Sequence, residues 1–300
     1  DIETEGNPLE MTSNSAGSDN VVNAEEAAMG TDLGGSVEAG STVTVTVNFN
    51  GKSAEYTAVV SKSGDWSLNI PAEDIPAGEY DAEITVNAVD HVGNKAEINE
   101  TLAIDTQAPD GPVVTDILDS LSDGYSAISY QGSGDAADVT TVAEVIEGGA
   151  IRDVAGETGS FGSKELFEFD SLVPNGSHLI VNSTDEAGNT SGTLLLLNDK
   201  SSTETYDLSN AGYGDYNIET LNLNAAADAT VVIDEGSLLA LSSGSNTLTV
   251  RGGNDDTLNI EGGLKTEQTE VGADGQTYDV YSVGAEGMLL VDQDINVAII

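Results

Sequence analysis

Apolar and polar residues alternate with a period of two through most of the first hundred residues. TVTVTVNF (42–49), AEYTAVV (54–60), DWSLNI (65–70), EYDAEITVNAV (79–89) and KAEINETLAI (95–104) read as strands, and Gly, Asn, Ser or Pro punctuate the gaps between them. Strands recurring at roughly ten-residue intervals predict an antiparallel sandwich, and this half offers no convincing amphipathic helix. Trp66 stands on the alternating 65–70 strand. Its simplest role there is to plug the core; stacking on a ligand is the lesser reading.

The pattern breaks at AIDTQAPDGP (103–112), where two prolines stiffen a short, polar connection between modules. An internal repeat crosses this boundary. PAGEYDAEITVNAVDHVGN (76–94) matches PNGSHLIVNSTDEAGN (174–189), with Pro76 and Asp90 spaced by 14 and Pro174 and Asp185 by 11. Both copies run from a turn through a strand into a D-x-x-G-N hairpin. Further strands are expected at 113–118, 140–147, 166–172, 177–184 and 192–198, and beyond residue 199 at 218–224, 229–234, 246–252, 256–262, 278–283 and 288–292. DEGSLLALSS (234–243) is the one helical turn expected in the tail, capped by Asp234. Residues 1–105 therefore read as one β-sandwich domain. Residues 106–300 read as a larger one, with at most one or two short helices in an all-β chain.

Composition narrows the functions open to such a chain. It carries 53 Asp+Glu against 8 Lys+Arg, a formal charge of −45, which excludes nucleic acid as a partner and disfavours anionic lipid while attracting divalent cations. The 38% of hydrophobic residues, set in repeated β-branched runs, suffices for a core. With no cysteine there are no disulfides, thiolate zinc sites or cysteine nucleophiles, and His91 and His178 are too few for histidine-rich metal sites. The opening DIETEGNPLE has neither a basic start nor an apolar run. We expect neither a signal peptide nor a membrane span, and a segment of something longer.

Three constellations carry candidate chemistry. In VDHVGNKA and TDEAGNTS the Gly permits a positive φ and the Asp and Asn can bond local backbone, so a structural turn explains both; the functional reading gathers Asp90 beside Asp105 of the linker, with Asp185 in the second copy, as hard-oxygen ligands of Ca²⁺. RGGNDDTLNIEGG (251–263) is one partial copy of a glycine-and-aspartate calcium turn, with Asn254, Asp255 and Asp256 as ligands beside Gly252 and Gly253; the bland reading is a hairpin with solvated acids. Seven of the nine tyrosines fall in the second half, and Tyr213 and Tyr216 in DLSNAGYGDYN (207–217) form the best candidate for an adhesive loop. Catalysis has little support: no G-x-S-x-G elbow occurs, and carboxylate pairs are expected by chance among so many.

The residues 20–110, with AGSTVTVTV, GDWSLNIPAEDIPAGEYDAEITVNAVDHVGN and AIDTQAP, resemble the Ig-like extender repeats of giant RTX-type bacterial adhesins. The second half, with SLLALSSGSNTLTVRGGNDDTLNI and QTYDVYSVGAEGMLLVDQDINVAII, is similar to the distal ligand-binding domains of such adhesins. The resemblance implies linker calcium at Asp90 and Asp105, and a calcium-dependent domain that binds peptide or protein termini on another cell, with Ca²⁺ holding the ligand's terminal carboxylate at the 252–256 turn. It also implies an extracellular, monomeric segment of a long chain, tethered to its own cell through other parts and not inserted in a membrane. Two rivals stay open: modules that are only calcium-stiffened spacers, and a calcium-dependent glycan binder.

Overall fold

The computed structural model describes residues 8–300 except 15, 18, 121–123, 147–148, 163, 198–204, 207, 209–210, 227 and 273. The chain divides into two compact units, residues 1–107 with 187–189, and residues 108–186 with 190–300.

The first unit holds β1 (Glu10–Asn14), β2 (Val21–Val22), α1 (Ala24–Met29), β3 (Thr31–Ser36), β4 (Thr42–Phe49), β5 (Lys52–Thr57), β6 (Val59–Val60), β7 (Asp65–Ile70), β8 (Glu79–Val89) and β9 (Lys95–Asp105). They form two sheets, ordered β1-β3-β7-β6 and β2-β9-β8-β4-β5. Alternation dictates what is buried: Val43, Val45, Val47 and Phe49 of β4 point inward with Ile84 and Val86 of β8 and Leu102 and Ile104 of β9. Trp66 is 2% exposed, and its Nε1 donates to the carbonyl of Glu10 at 3.1 Å. Gly35 lies under the ring; a Cβ there would stand 2.6 Å from Trp66 Nε1, so only glycine permits this approach. The tryptophan is therefore the core plug, and the ligand-stacking alternative falls.

The six-residue helix α1 was not expected from periodicity, because one and a half turns are too few to show it. Its signal is the cap: Glu26 N donates to Asn23 Oδ1 at 3.0 Å while Asn23 N donates to Glu26 Oε2 at 3.1 Å.

The second unit begins as another sandwich. β10 (Val113–Asp119), β11 (Tyr125–Gln131), β14 (Gly156–Phe161) and β15 (Lys164–Val173) make one sheet, ordered β10-β11-β15-β14. β12 (Val139–Val145), β13 (Ile151–Asp153), β16 (His178–Thr184) and β17 (Thr190–Leu195) start the other, ordered β13-β12-β16-β17. After β17 the pattern changes. β18 (Thr205–Tyr206), β19 (Ile218–Asn222), β20 (Thr230–Ile233), β21 (Thr247–Arg251), β22 (Thr257–Ile260), β25 (Gly287–Asp292) and β26 (Asn296–Ile299) shuttle between two sheets. β17-β19-β21-β25 extend the sandwich sheet by parallel pairing, and β18-β20-β22-β26 form a separate parallel sheet. This is a flattened parallel coil. Leu221, Val250 and Val291 stack rung on rung in one wall, facing Val231, Leu258 and Ile260 from the other.

Two insertions decorate the coil. α2 (Glu235–Leu241) fills the link from β20 to β21, capped by Asp234, and buries Leu238 and Leu241 in the coil core. The antiparallel hairpin of β23 (Gly263–Val271) and β24 (Thr277–Val283) pairs with β25 and ends the large sheet. All-β architecture and two short helices agree with the alternation. The parallel pairing could not be read from it, because a four- or five-residue alternating strand looks the same whichever way its neighbour runs.

Candidate functional site

The D-x-x-G-N turn between β8 and β9 is built around the carboxylate of Asp90, which is 7% exposed. Its Oδ1 accepts the backbone N–H groups of Val92, Gly93 and Asn94 at 2.9, 2.7 and 2.8 Å, and its Oδ2 accepts Asn94 Nδ2 at 2.7 Å. Burial pushes the Asp90 pKa up, but the Asn94 side chain and these N–H groups outweigh it and hold the pKa below the usual value. Gly93 takes φ +96°, and Gly188 at the matching point of the second copy takes +88°, which shows that the sequence repeat is a structural one.

The register overturns the expected meeting of Asp90 with Asp105. β8 and β9 run antiparallel with Val89 opposite Lys95 and Glu79 opposite Asp105, so the two aspartates stand at opposite ends of an eleven-residue strand pair, about 35 Å apart at roughly 3.3 Å per residue. No one ion can bridge them within this unit. Asp105 is half-buried and accepts Gln107 N at 3.1 Å, turning the chain out of β9. Asp185 is half-buried at the end of β16.

In the second unit, β21 and β22 lie in different sheets, so residues 252–256 form a corner of the coil and not a hairpin. Asp256 is 1% exposed. Its Oδ2 accepts Gly253 N at 2.8 Å within the corner, and its Oδ1 accepts Ala229 N at 3.1 Å from the corner of the preceding coil. Its carbonyl accepts Asn296 N at 3.0 Å from the following coil. Asp256 thus stitches three successive coils. Burial pushes its pKa up against those N–H bonds, and Asp255 and Asp228 add to the rise. Gly252 makes the corner possible, since a Cβ there would lie 2.6 Å from Asp256 Oδ2. Asn254 and Asp255 are exposed beside it, and half-buried Gly253 supplies backbone to the same turn.

Calcium takes six to eight oxygen ligands. Among the described residues no three Asp, Glu, His or Cys side chains converge, and both carboxylate oxygens of Asp256 already accept backbone N–H groups. The corner therefore does not fit a calcium site, which corrects the expectation for Asn254, Asp255 and Asp256 as a set.

The tyrosine loop is corrected in part. Ala211–Tyr216 form a 3₁₀ turn, in which Tyr213 is 4% exposed and belongs to the coil core while Tyr216 is half-buried against it. Burial, with Asp153 and Asp215 nearby, raises the Tyr216 pKa. Tyr213 has no surface to offer a ligand. Asp207, Ser209 and Asn210 of the same stretch lie outside the described residues.

Residues 6–106 match the family described as a bacterial Ig-like domain. The Ig-like match covers the first unit and ends at the linker. No curated protein sequence matches the chain. Among solved structures, a fragment of a 1.5-MDa bacterial ice-binding adhesin, described for host cell surface retention, is 25% identical over 63% of this chain and 62% of its own, with a TM-score of 0.38. A Ca²⁺-stabilized adhesin with which an Antarctic bacterium binds ice is 25% identical over 62% of this chain and 48% of its own, at 0.37. An Ig-like domain from the M. primoryensis ice-binding adhesin is 28% identical over 31% of this chain and 93% of its own, at 0.24. This chain thus spans less than two thirds of the first two, and at these TM-scores the superpositions carry no functional weight.

Two features beyond the Ig-like domain escaped the sequence. Glu219, which burial pushes above the usual pKa, accepts Ser191 Oγ at 3.0 Å and Asn217 Nδ2 at 3.3 Å. Nothing in the linear pattern sets it apart from the other 52 acids; the parallel placement of β19 beside β17 buries it. The second is a groove of about 240 Å³ along β10, whose walls come from residues a hundred positions apart.

Proposed function

We propose that the chain is a non-catalytic adhesion module of an extracellular bacterial protein, in which an Ig-like extender carries a β domain that captures peptide or protein on another cell in the presence of calcium. The observation that carries this reading is the bacterial Ig-like match over residues 6–106, a fold used as a spacer, joined directly to a unit of different architecture. The charge of −45 supports the calcium element: cations that bind only the folded chain stabilise it by linkage, and a bound ion gives a negative surface the means to hold a terminal carboxylate. Asp105 and Asp185 are the proposed calcium carboxylates, with Asn254 and Tyr216 as groups for the ligand; Asp90 and Asp256 are spent on backbone N–H groups. No described helix is long and apolar enough to cross a membrane.

The spacer reading has one observation in its favour, namely that Asp90, Asp256 and Tyr213 all have structural work to do. Peptide and glycan arrays probed with the whole chain in calcium and in EDTA separate the readings. Calcium-dependent peptide spots support capture. Blank arrays of both kinds support the spacer, and glycan spots alone support the lectin-like rival.

A further inference from the structure

The groove along β10 lies wholly within the second unit. β10 is the terminal strand of its sheet and pairs only with β11, so its outer row of N–H and C=O groups is not taken by another strand. Its first end is tied down: Thr193 Oγ1 donates to the Pro112 carbonyl at 2.7 Å and Asn222 Nδ2 to the Val114 carbonyl at 3.3 Å. Along the rest of the strand the groove opens, and five of the seven β10 residues line it.

The groove follows from the topology. The sheet of β10 stops at β10, whereas the facing sheet continues past β17 into parallel β19. The edge strand therefore borders a shelf rather than open solvent. Tyr125 and Leu195, both buried, give the shelf an apolar floor, and Asn222 with Asn224 forms its far wall. Register shifts at Val114/Asp116 and Leu118/Asp119 bend the strand and re-aim its side chains, as bulges at sheet edges do. Other sheet edges differ. The β23 edge is longer but carries Lys265, Glu267 and Glu270, with its only half-buried positions at Gly263 and Thr266.

An unpaired backbone row beside an apolar slot is what an extended peptide needs for strand addition, with main-chain bonds giving affinity and alternate side chains filling the slot. Charge selects the occupant. None of the ten lining residues is Lys or Arg; Asp116 is already paired with Lys164 at 2.7 Å, so the rim charge is carried by exposed Asp119, on a chain carrying −45. The same net charge repels a second copy of this chain. We propose that β10 is a strand-addition site for an extended partner segment that alternates aliphatic and Lys or Arg side chains. This site goes beyond the calcium-dependent capture reading and stands apart from it, because the backbone row needs no metal.

The test uses the whole isotope-labelled chain and a blocked peptide of about eight residues alternating valine and lysine, long enough to match one strand. Amide shifts are expected at 113–119 and around 222–225, equally in calcium and in EDTA. Backbone N-methylation of alternate peptide residues discriminates strand addition from adsorption: one of the two methylated sets should lose binding and the other keep it. Asp119→Lys, on an exposed position, should weaken binding about fivefold, the size of a rim charge contact of about 1 kcal/mol. Shifts absent at millimolar peptide, equal binding of both methylated sets, or equal binding of a valine–glutamate peptide would overturn the proposal. A blank result here beside calcium-dependent spots on the arrays removes the β10 site and leaves the capture reading standing. Binding here beside blank arrays removes calcium-dependent capture and leaves the β10 site.

Discussion

Replacing Asp256 by alanine should destabilise the coil of the second unit. The substitution strips the acceptor from two buried donors, Gly253 N at 2.8 Å and Ala229 N at 3.1 Å, which lie in successive corners. Each orphaned buried donor costs about 1–3 kcal/mol, and removing a desolvated carboxylate returns part of that, so a net loss of about 2–4 kcal/mol follows. For a unit of this size 1 kcal/mol lowers Tm by roughly 2–4 °C, which puts the expected drop at about 4–16 °C. Calorimetry of the whole chain reads it, with Asp255→Ala as the matched control: Asp255 is exposed and its removal should stay within about 0.5 kcal/mol. Equal, small effects of both substitutions would refute the stitching role and return Asp256 to the pool of available ligands.

Three further outcomes follow from the same geometry. Glu219 and Asp256 have pKa values raised chiefly by burial, so the folded chain binds their protons more tightly than the unfolded chain and stability rises as pH falls from neutrality toward the ordinary carboxylate range. Asp116, lowered chiefly by its bond from Lys164, and Asp90 act in the opposite sense, and their contribution is lost below about pH 4; melting should therefore rise as pH falls from about 7.5 toward the ordinary carboxylate range and drop again below it, and a monotonic fall from pH 7.5 to 5 would contradict this. Trp66→Ala should cost about 3–5 kcal/mol in urea unfolding followed by circular dichroism, whereas a ring kept for ligand stacking would cost little. Arg152→Ala should cost about 1–3 kcal/mol, because Glu144, with a side chain 4% exposed, keeps only Ser177 Oγ at 2.7 Å after losing the guanidinium; unchanged stability would show that the pair is only a surface contact.

Local chemistry was legible in the sequence wherever it repeats at short range. Alternation located β4, β7, β8 and β9, and the D-x-x-G-N repeat located two turns that share a positive-φ glycine. The Asp234 cap likewise located α2. What depends on pairing between distant strands was not legible. Asp90 and Asp105 looked adjacent because both end strands, but an antiparallel pair places successive strand ends at opposite poles. Asp256 looked like a surface ligand because it follows two polar residues, yet the stacking of coils buries it between Ala229 and Asn296, 27 and 40 residues away. The β10 groove needs the parallel step from β17 to β19, which alternation does not encode.

The central claim is calcium-dependent capture without catalysis, and retention of chain-coated beads on target cells under flow tests it most directly. The account predicts retention in millimolar calcium, release on EDTA and recapture when calcium is restored. Beads that never bind, or that hold equally well in EDTA, would contradict it.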